Sequence, residues 1–266
     1  MLALLCVLTS APVQASEPIV RTLPADMPAL EIDNPKGVIE VRYDANLSQS
    51  TLTATPMLWT SGCDLEFSGD ASMARVEVQR DGERAQTGCR TRIELVLAGA
   101  TALHLQGTRG KVSIEESRGP VDIDLHHGKV ALYKVYGPTD VTLTAGRVTG
   151  SPVSDELHIA IDRGRVVLED LRVPVFAEVG VGGIQLHYDL ALEGTATAHV
   201  GVGRVRATFP YGTLLDRHAT AKVGSVKTEI PHRTTSRTRL EASTGLGVVD
   251  VDTSFEDEED EAVASN

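Results

Sequence analysis

Four cations recur at a single step of eighteen residues: Lys111, Lys129, Arg147 and Arg165. Each directly follows a glycine, and Arg109, His127 and Arg163 stand two residues earlier in their rows. If successive eighteens lie over one another, like charges about 4.8 Å apart repel by roughly 1 kcal/mol per pair in a water-like dielectric. Such a ridge calls for negative charge. It comes either from Glu115, Glu116, Asp162 and Glu169, which leaves a solvated corner, or from an anionic partner such as an envelope polymer or a lipid headgroup. Partner binding of that kind weakens steeply with salt. A second set at the same step is His104, Asp122, Asp140 and His158. Two carboxylates bracketed by imidazoles could hold a metal cation or share a proton. On an open strand face, each histidine instead offsets its neighbour's charge. Asp122, Asp124 and Asp140 are the carboxylates that a polysaccharide lyase or hydrolase built on a β-helix would use as acid and base.

The elements that must position these residues follow from the same interval. Gly-x-Val or Gly-x-Ile recurs at Gly110, Gly128, Gly146, Gly164 and Gly182, with looser echoes at Gly203, Gly224 and Gly247. A regular internal repeat decides architecture before anything else. Rows of eighteen align Leu103, Val121, Thr139, Leu157 and Val175 in one column, and Val112, Val130, Val148, Val166 and Ile184 in another. Each row is apolar at alternate positions in two bursts, the period of strands with one buried face. Glycine belongs at the corner between the bursts, where the chain kinks and the next coil leaves no room for a Cβ. The expected fold is all-β, a parallel β-solenoid of eighteen-residue rungs over residues 101–254. Residues 16–100 lie outside the register and read as an N-terminal β cap, since an open stack end would recruit other chains.

The first fifteen residues carry an apolar run and end in Val13-Gln14-Ala15, which suits a signal-peptidase site. Its removal takes Cys6 and leaves Cys63 and Cys89. In an oxidising compartment these two pair, unless they remain free thiols or bind a metal, for which neither has a second ligand at zinc spacing. No other apolar run is long enough to cross a bilayer as a helix. The formal charge is −12, and six acids stand in a row from Glu256 to Glu261, so residues 255–266 read as a solvated, disordered acidic tail. A pI of about 5.1 excludes the broad basic face that nucleic acid requires. Nucleophile elbows, zinc-helix motifs, phosphate loops and Cys-x-x-Cys are absent, and no cofactor is implied. Nine Phe and Tyr residues with one Trp leave few rings for stacking on sugars.

The chain resembles the bacterial secreted proteins described as "putative adhesins", a family built on repeated Gly-x-Val/Ile β-rungs. The resemblance lies in Asn34-Pro35-Lys36-Gly37-Val38-Ile39-Glu40-Val41, in the strand Arg92 to Leu97, and in the train of corners from Gly110 onward. Where family members often place Ser-Gly-Asp at the corner, this chain has Arg-Gly-Lys, His-Gly-Lys or Ala-Gly-Arg. The family offers no catalytic residues to carry over. The resemblance implies a non-enzymatic, exported surface of the cell envelope, in the periplasm or at the cell surface, whose long faces bind or support a partner. Polysaccharide cleavage is one alternative. Another is an assembly or regulatory role in which the acidic tail docks to an envelope complex.

Overall fold

The computed structural model describes residues 17–70, 72–85, 88–152, 156–190, 193–234 and 236–253; the leader and the acidic tail lie outside the described residues. Sixteen strands follow in order: β1 (Ile19–Pro24), β2 (Ala29–Asp33), β3 (Lys36–Tyr43), β4 (Gln49–Trp59), β5 (Cys63–Gly69), β6 (Met73–Arg80), β7 (Glu83–Arg84), β8 (Cys89–Leu97), β9 (Ala102–Ser117), β10 (Val121–Val135), β11 (Thr139–Ser151), β12 (Leu157–Leu171), β13 (Val175–Tyr188), β14 (Gly194–Phe209), β15 (Asp216–Thr228) and β16 (Thr238–Thr253). The long strands from β9 onward pair in parallel, and the protein is an all-β solenoid. No helix among the described residues is long and apolar enough to cross a membrane.

One rung shows why these residues fold this way. In β10, Val121, Ile123 and Leu125 point inward and Asp122 and Asp124 outward, as a strand period of two requires. His126, His127, Gly128 and Lys129 turn outward or to the corner before Val130 and Leu132 re-enter the core. The inward step from Leu125 to Val130 spans an odd number of residues, so the alternation changes phase and the strand folds over its own buried face. The return corner lies at Lys134, with φ +50°, and its counterparts in other rungs are Glu116 and Asp170 at +66° and +54°. The equivalent place after β11 is Pro152, whose ring forbids a positive φ. Both arms of each rung from β9 to β14, and of β16, meet in one hydrophobic cluster running along the stack.

Val112, Val130, Val148, Val166 and Ile184 pile in register, each at most 2% exposed. The register also extends further back than the spacing indicates. Residues 29–43, read from spacing as part of the cap, form a rung beneath β9: Leu30 pairs with Leu103, Gly37 with Gly110 and Ile39 with Val112. β2 and β3 are the two arms of this rung. They are separated at Asn34-Pro35, where the buried Asn34 amide donates to the carbonyl oxygen of Thr91 at 3.1 Å. β6 and β8 lie in parallel beneath these arms. Pairing then changes to antiparallel, with β4 on β8, β1 on β4 and β5 on β6. The Cys63–Cys89 disulfide, Cα–Cα 5.8 Å, ties the β5–β6 hairpin to the start of β8. Arg84 on β7 adds a second tie, donating from Nη2 to the buried Asp33 carboxylate at 2.8 Å. That bond raises the Arg84 pKa further.

The far end reverses the expected order. The sequence places Gly203, Gly224 and Gly247 in succession, but Gly203 pairs with Gly247, and Gly247 with Gly224. The later strand β16 is thus inserted between β14 and β15. Burial accounts for the swap. Leu240, Ala242, Val249 and Val251 of β16 are all nearly inaccessible, whereas β15 offers Ala219, Ala221, Val223 and Val226 among charged and polar residues. The more apolar strand gains more from the interior position, at roughly 25 cal/mol per Å² of apolar surface removed from water. Val226 continues the column of Val249 yet remains 40% exposed, because no further rung among the described residues covers it.

β15 therefore ends the sheet, with Lys222 and Lys227 exposed along it. Lysine on an edge strand opposes pairing with another chain. Lys222→Val combined with Lys227→Val is expected to shift the protein to larger species in size-exclusion chromatography with light scattering. Unchanged elution would show that these lysines do not guard the edge.

Candidate anion-binding corner

The corner glycines set the direction of the charges. Because Val112, Val130, Val148 and Val166 face the core, the residue before each faces water, and Lys111, Lys129, Arg147 and Arg165 are all exposed. They stack in direct register as one file. A second file beside it holds Lys36, Arg109, His127, Ala145 and Arg163. Among the described residues, none of the cations in these two files has a carboxylate oxygen within 4 Å, although fourteen such pairs occur elsewhere. Glu116, near enough in sequence to neutralise the ridge, pairs with Arg118 at 3.5 Å. Glu115, Asp162 and Glu169 form no ion pair with the ridge.

The files widen at their first rungs into an open groove of about 520 Å³, lined by Lys36, Arg90, Arg109, Lys111 and Lys129 together with corner glycines and Val38. Five cations face this groove and no carboxylate does. With little bulk at the glycines, a bound anion could approach the backbone closely. The larger groove nearby, about 680 Å³, has the opposite character: Glu40, Asp44, Glu94 and Glu115 line it against the single cation Arg42. Two faces of one stack thus differ in sign.

Lys36 and Arg90 escape the column alignment. Gly37-Val38-Ile39 has the Gly-x-Ile form, but it lies out of the eighteen-residue step because β4 to β8 are inserted after it. Arg90 precedes Thr91, which occupies the glycine position opposite Gly37, so its rung lacks the glycine signal altogether. The family motif around Gly37 was the available clue to Lys36.

The imidazole–carboxylate file is in register as spaced: His104 beside Asp122, Asp122 beside Asp140, Asp140 beside His158. Its contacts are pairwise, His104 Nδ1 to Asp122 Oδ2 at 3.4 Å and His158 Nδ1 to Asp140 Oδ1 at 3.7 Å. Glu31 lies next to His104, and Phe176 stacks obliquely on His158, 5.5 Å between centroids. Among the described residues no three His, Cys, Asp or Glu side chains converge as a metal site. Each imidazole pairs with one carboxylate, while Asp122 and Asp140 face each other across paired strands as like charges. Asp122 and Asp124 border a depression of about 190 Å³, and both, like Asp140, stand exposed on the strand face.

No protein-family model and no curated protein matches this chain. Solved structures do. A "putative adhesin" from Bacteroides fragilis is 14% identical over 90% of this chain and 98% of its own, with a TM-score of 0.39. A "putative cell adhesion protein" from Clostridium sporogenes is 12% identical over 90% and 99%, at 0.28. A "putative adhesin" from Parabacteroides merdae is 8% identical over 90% and 97%, at 0.30. At scores this low, the likeness of these adhesin-named chains carries no functional argument.

Proposed function

We propose that this chain is a non-enzymatic, adhesin-like β-solenoid of the bacterial cell envelope that binds an anionic partner along its cationic corner. One observation carries the reading: a groove faced by five cations and no carboxylate, on a chain with 37 acidic residues against 25 Lys and Arg. An unneutralised ridge is costly by itself and becomes favourable when a polyanion lies along it. The rung spacing of about 4.8 Å suits a ligand with regularly repeated charge. The Cys63–Cys89 bond and the apolar leader support export to an oxidising space.

Binding to polygalacturonate, measured by isothermal titration calorimetry at low and high salt, tests this. Replacing Lys111, Lys129, Arg147 and Arg165 together by Ser is expected to weaken binding by between about fourfold and about a thousandfold, from about 0.2–1 kcal/mol per exposed charge contact. The circular dichroism spectrum should stay unchanged, since all four side chains point to water. Equal affinity of the quadruple variant, or affinity indifferent to salt, would refute the assignment. Release of shortened polymer in the same mixture, abolished by Asp122→Asn with Asp140→Asn, would replace it with the enzyme reading.

A further inference from the structure

The second corner file changes character partway along the stack. Arg163 is its last cation, and the following rungs place Val181, Val202, Leu246 and Val223 there in direct register. These four side chains are 51%, 45%, 53% and 61% exposed. Aliphatic residues on the outward side of a rung would ordinarily be shielded by their neighbours along the chain. Here glycines flank three of them on both sides: Gly180 and Gly182, Gly201 and Gly203, Gly245 and Gly247. The side chains therefore stand proud as a continuous crest, one every 4.8 Å or so. Neither corner file contains an Asp or Glu in any rung from β3 to β15. The edge is cationic over its first rungs; over its last rungs the aliphatic crest stands beside Arg204, the one cation of the first file beyond Arg165.

We infer that this edge docks on the surface of an anionic lipid bilayer, the cations lying among headgroups and the crest entering the acyl boundary. The inference rests on the anionic-partner reading of the ridge and names the partner. A soluble polyanion would engage the cationic half but offers no apolar phase for the crest. A folded partner is disfavoured by size, because four side chains in single file fall far short of the roughly 800 Å² per side of a stable protein interface. A fluid interface conforms to a narrow crest without a matching pocket. As for interfacial amphipathic helices, affinity sums apolar burial with attraction to anionic headgroups.

Co-sedimentation of the full chain with phosphatidylcholine vesicles, and with vesicles also containing phosphatidylglycerol, tests the inference. The protein should sediment with the anionic vesicles only. Val181→Ser, Val202→Ser, Val223→Ser and Leu246→Ser combined should lower that partition by about tenfold while leaving polygalacturonate affinity and the melting temperature near their original values. Leu246→Trp provides a second reading that needs no loss of function: its emission should shift to the blue when anionic vesicles are added. Partition unchanged in the serine variant, or emission unchanged in the tryptophan variant, overturns the inference. Polymer binding without vesicle binding also overturns it and leaves the proposed function standing, whereas binding to neither removes both.

Discussion

Gly203→Ala is expected to destabilise the fold by about 4 kcal/mol, a large part of the 5–15 kcal/mol that holds a typical domain together. A Cβ at this position would lie 1.8 Å from the Gly182 carbonyl oxygen in the rung below, and Gly203 has φ +144°, outside the range open to side-chain-bearing residues. The backbone strain costs about 1–3 kcal/mol and the overlap a further 1–3 kcal/mol. Relief is not available locally. The opposing atoms are backbone, and moving them disturbs the parallel pairing of β13 with β14 and of β14 with β16. Gly212→Ala is the control. It also has a positive φ, +78°, but a Cβ there meets nothing within 4 Å. It should cost about 1 kcal/mol. Urea denaturation followed by circular dichroism measures both. If Gly203→Ala costs no more than Gly212→Ala, close approach between rungs is not what demands glycine at the corner.

Loss of the Cys63–Cys89 bond should cost about 3–4 kcal/mol, the chain-entropy value for a loop closed by cysteines 26 residues apart. The fold around the bond explains why its loss should be felt unevenly. The β5–β6 hairpin is attached to the stack through the short parallel pairing of β6 with β2, through the buried Leu65, Val76 and Val78, through the Arg75–Glu31 and Arg84–Asp33 contacts and through this disulfide. Strands β9 to β14 have parallel partners on both sides over most of their length. In Cys63→Ser combined with Cys89→Ser, hydrogen exchange should therefore accelerate first in β5 and β6, with β9 to β14 protected until global unfolding. Uniform acceleration throughout would mean that the hairpin and the stack open as a single unit.

The rungs from Gly110 to Gly182 were legible because parallel stacking in register gives every column a single packing problem. Val112, Val130, Val148 and Val166 occupy the same space one rung apart, so each site selects the same kind of residue and the period becomes visible. The pairing of Cys63 with Cys89 and the outward direction of Lys111, Lys129, Arg147 and Arg165 follow from equally local information. The rung formed by β2 and β3 was not legible as a rung, since β4 to β8 separate it from its neighbour and break the step. Lys36 and Arg90 were hidden with it, and so was the groove they form with Arg109, Lys111 and Lys129.

The sequence by itself determined the repeating unit: strand arms of period two, a glycine corner, and a cation after that corner in four consecutive rungs. Only the tertiary structure decided which rungs touch at the ends of the stack and which charges lack a partner. The order of β15 and β16 depends on comparing the apolar surface each would bury between β14 and solvent. A step counted along the chain contains no such comparison. The same holds for the ridge, where Glu116 lies near the cations in sequence but pairs with Arg118, leaving the corner positive.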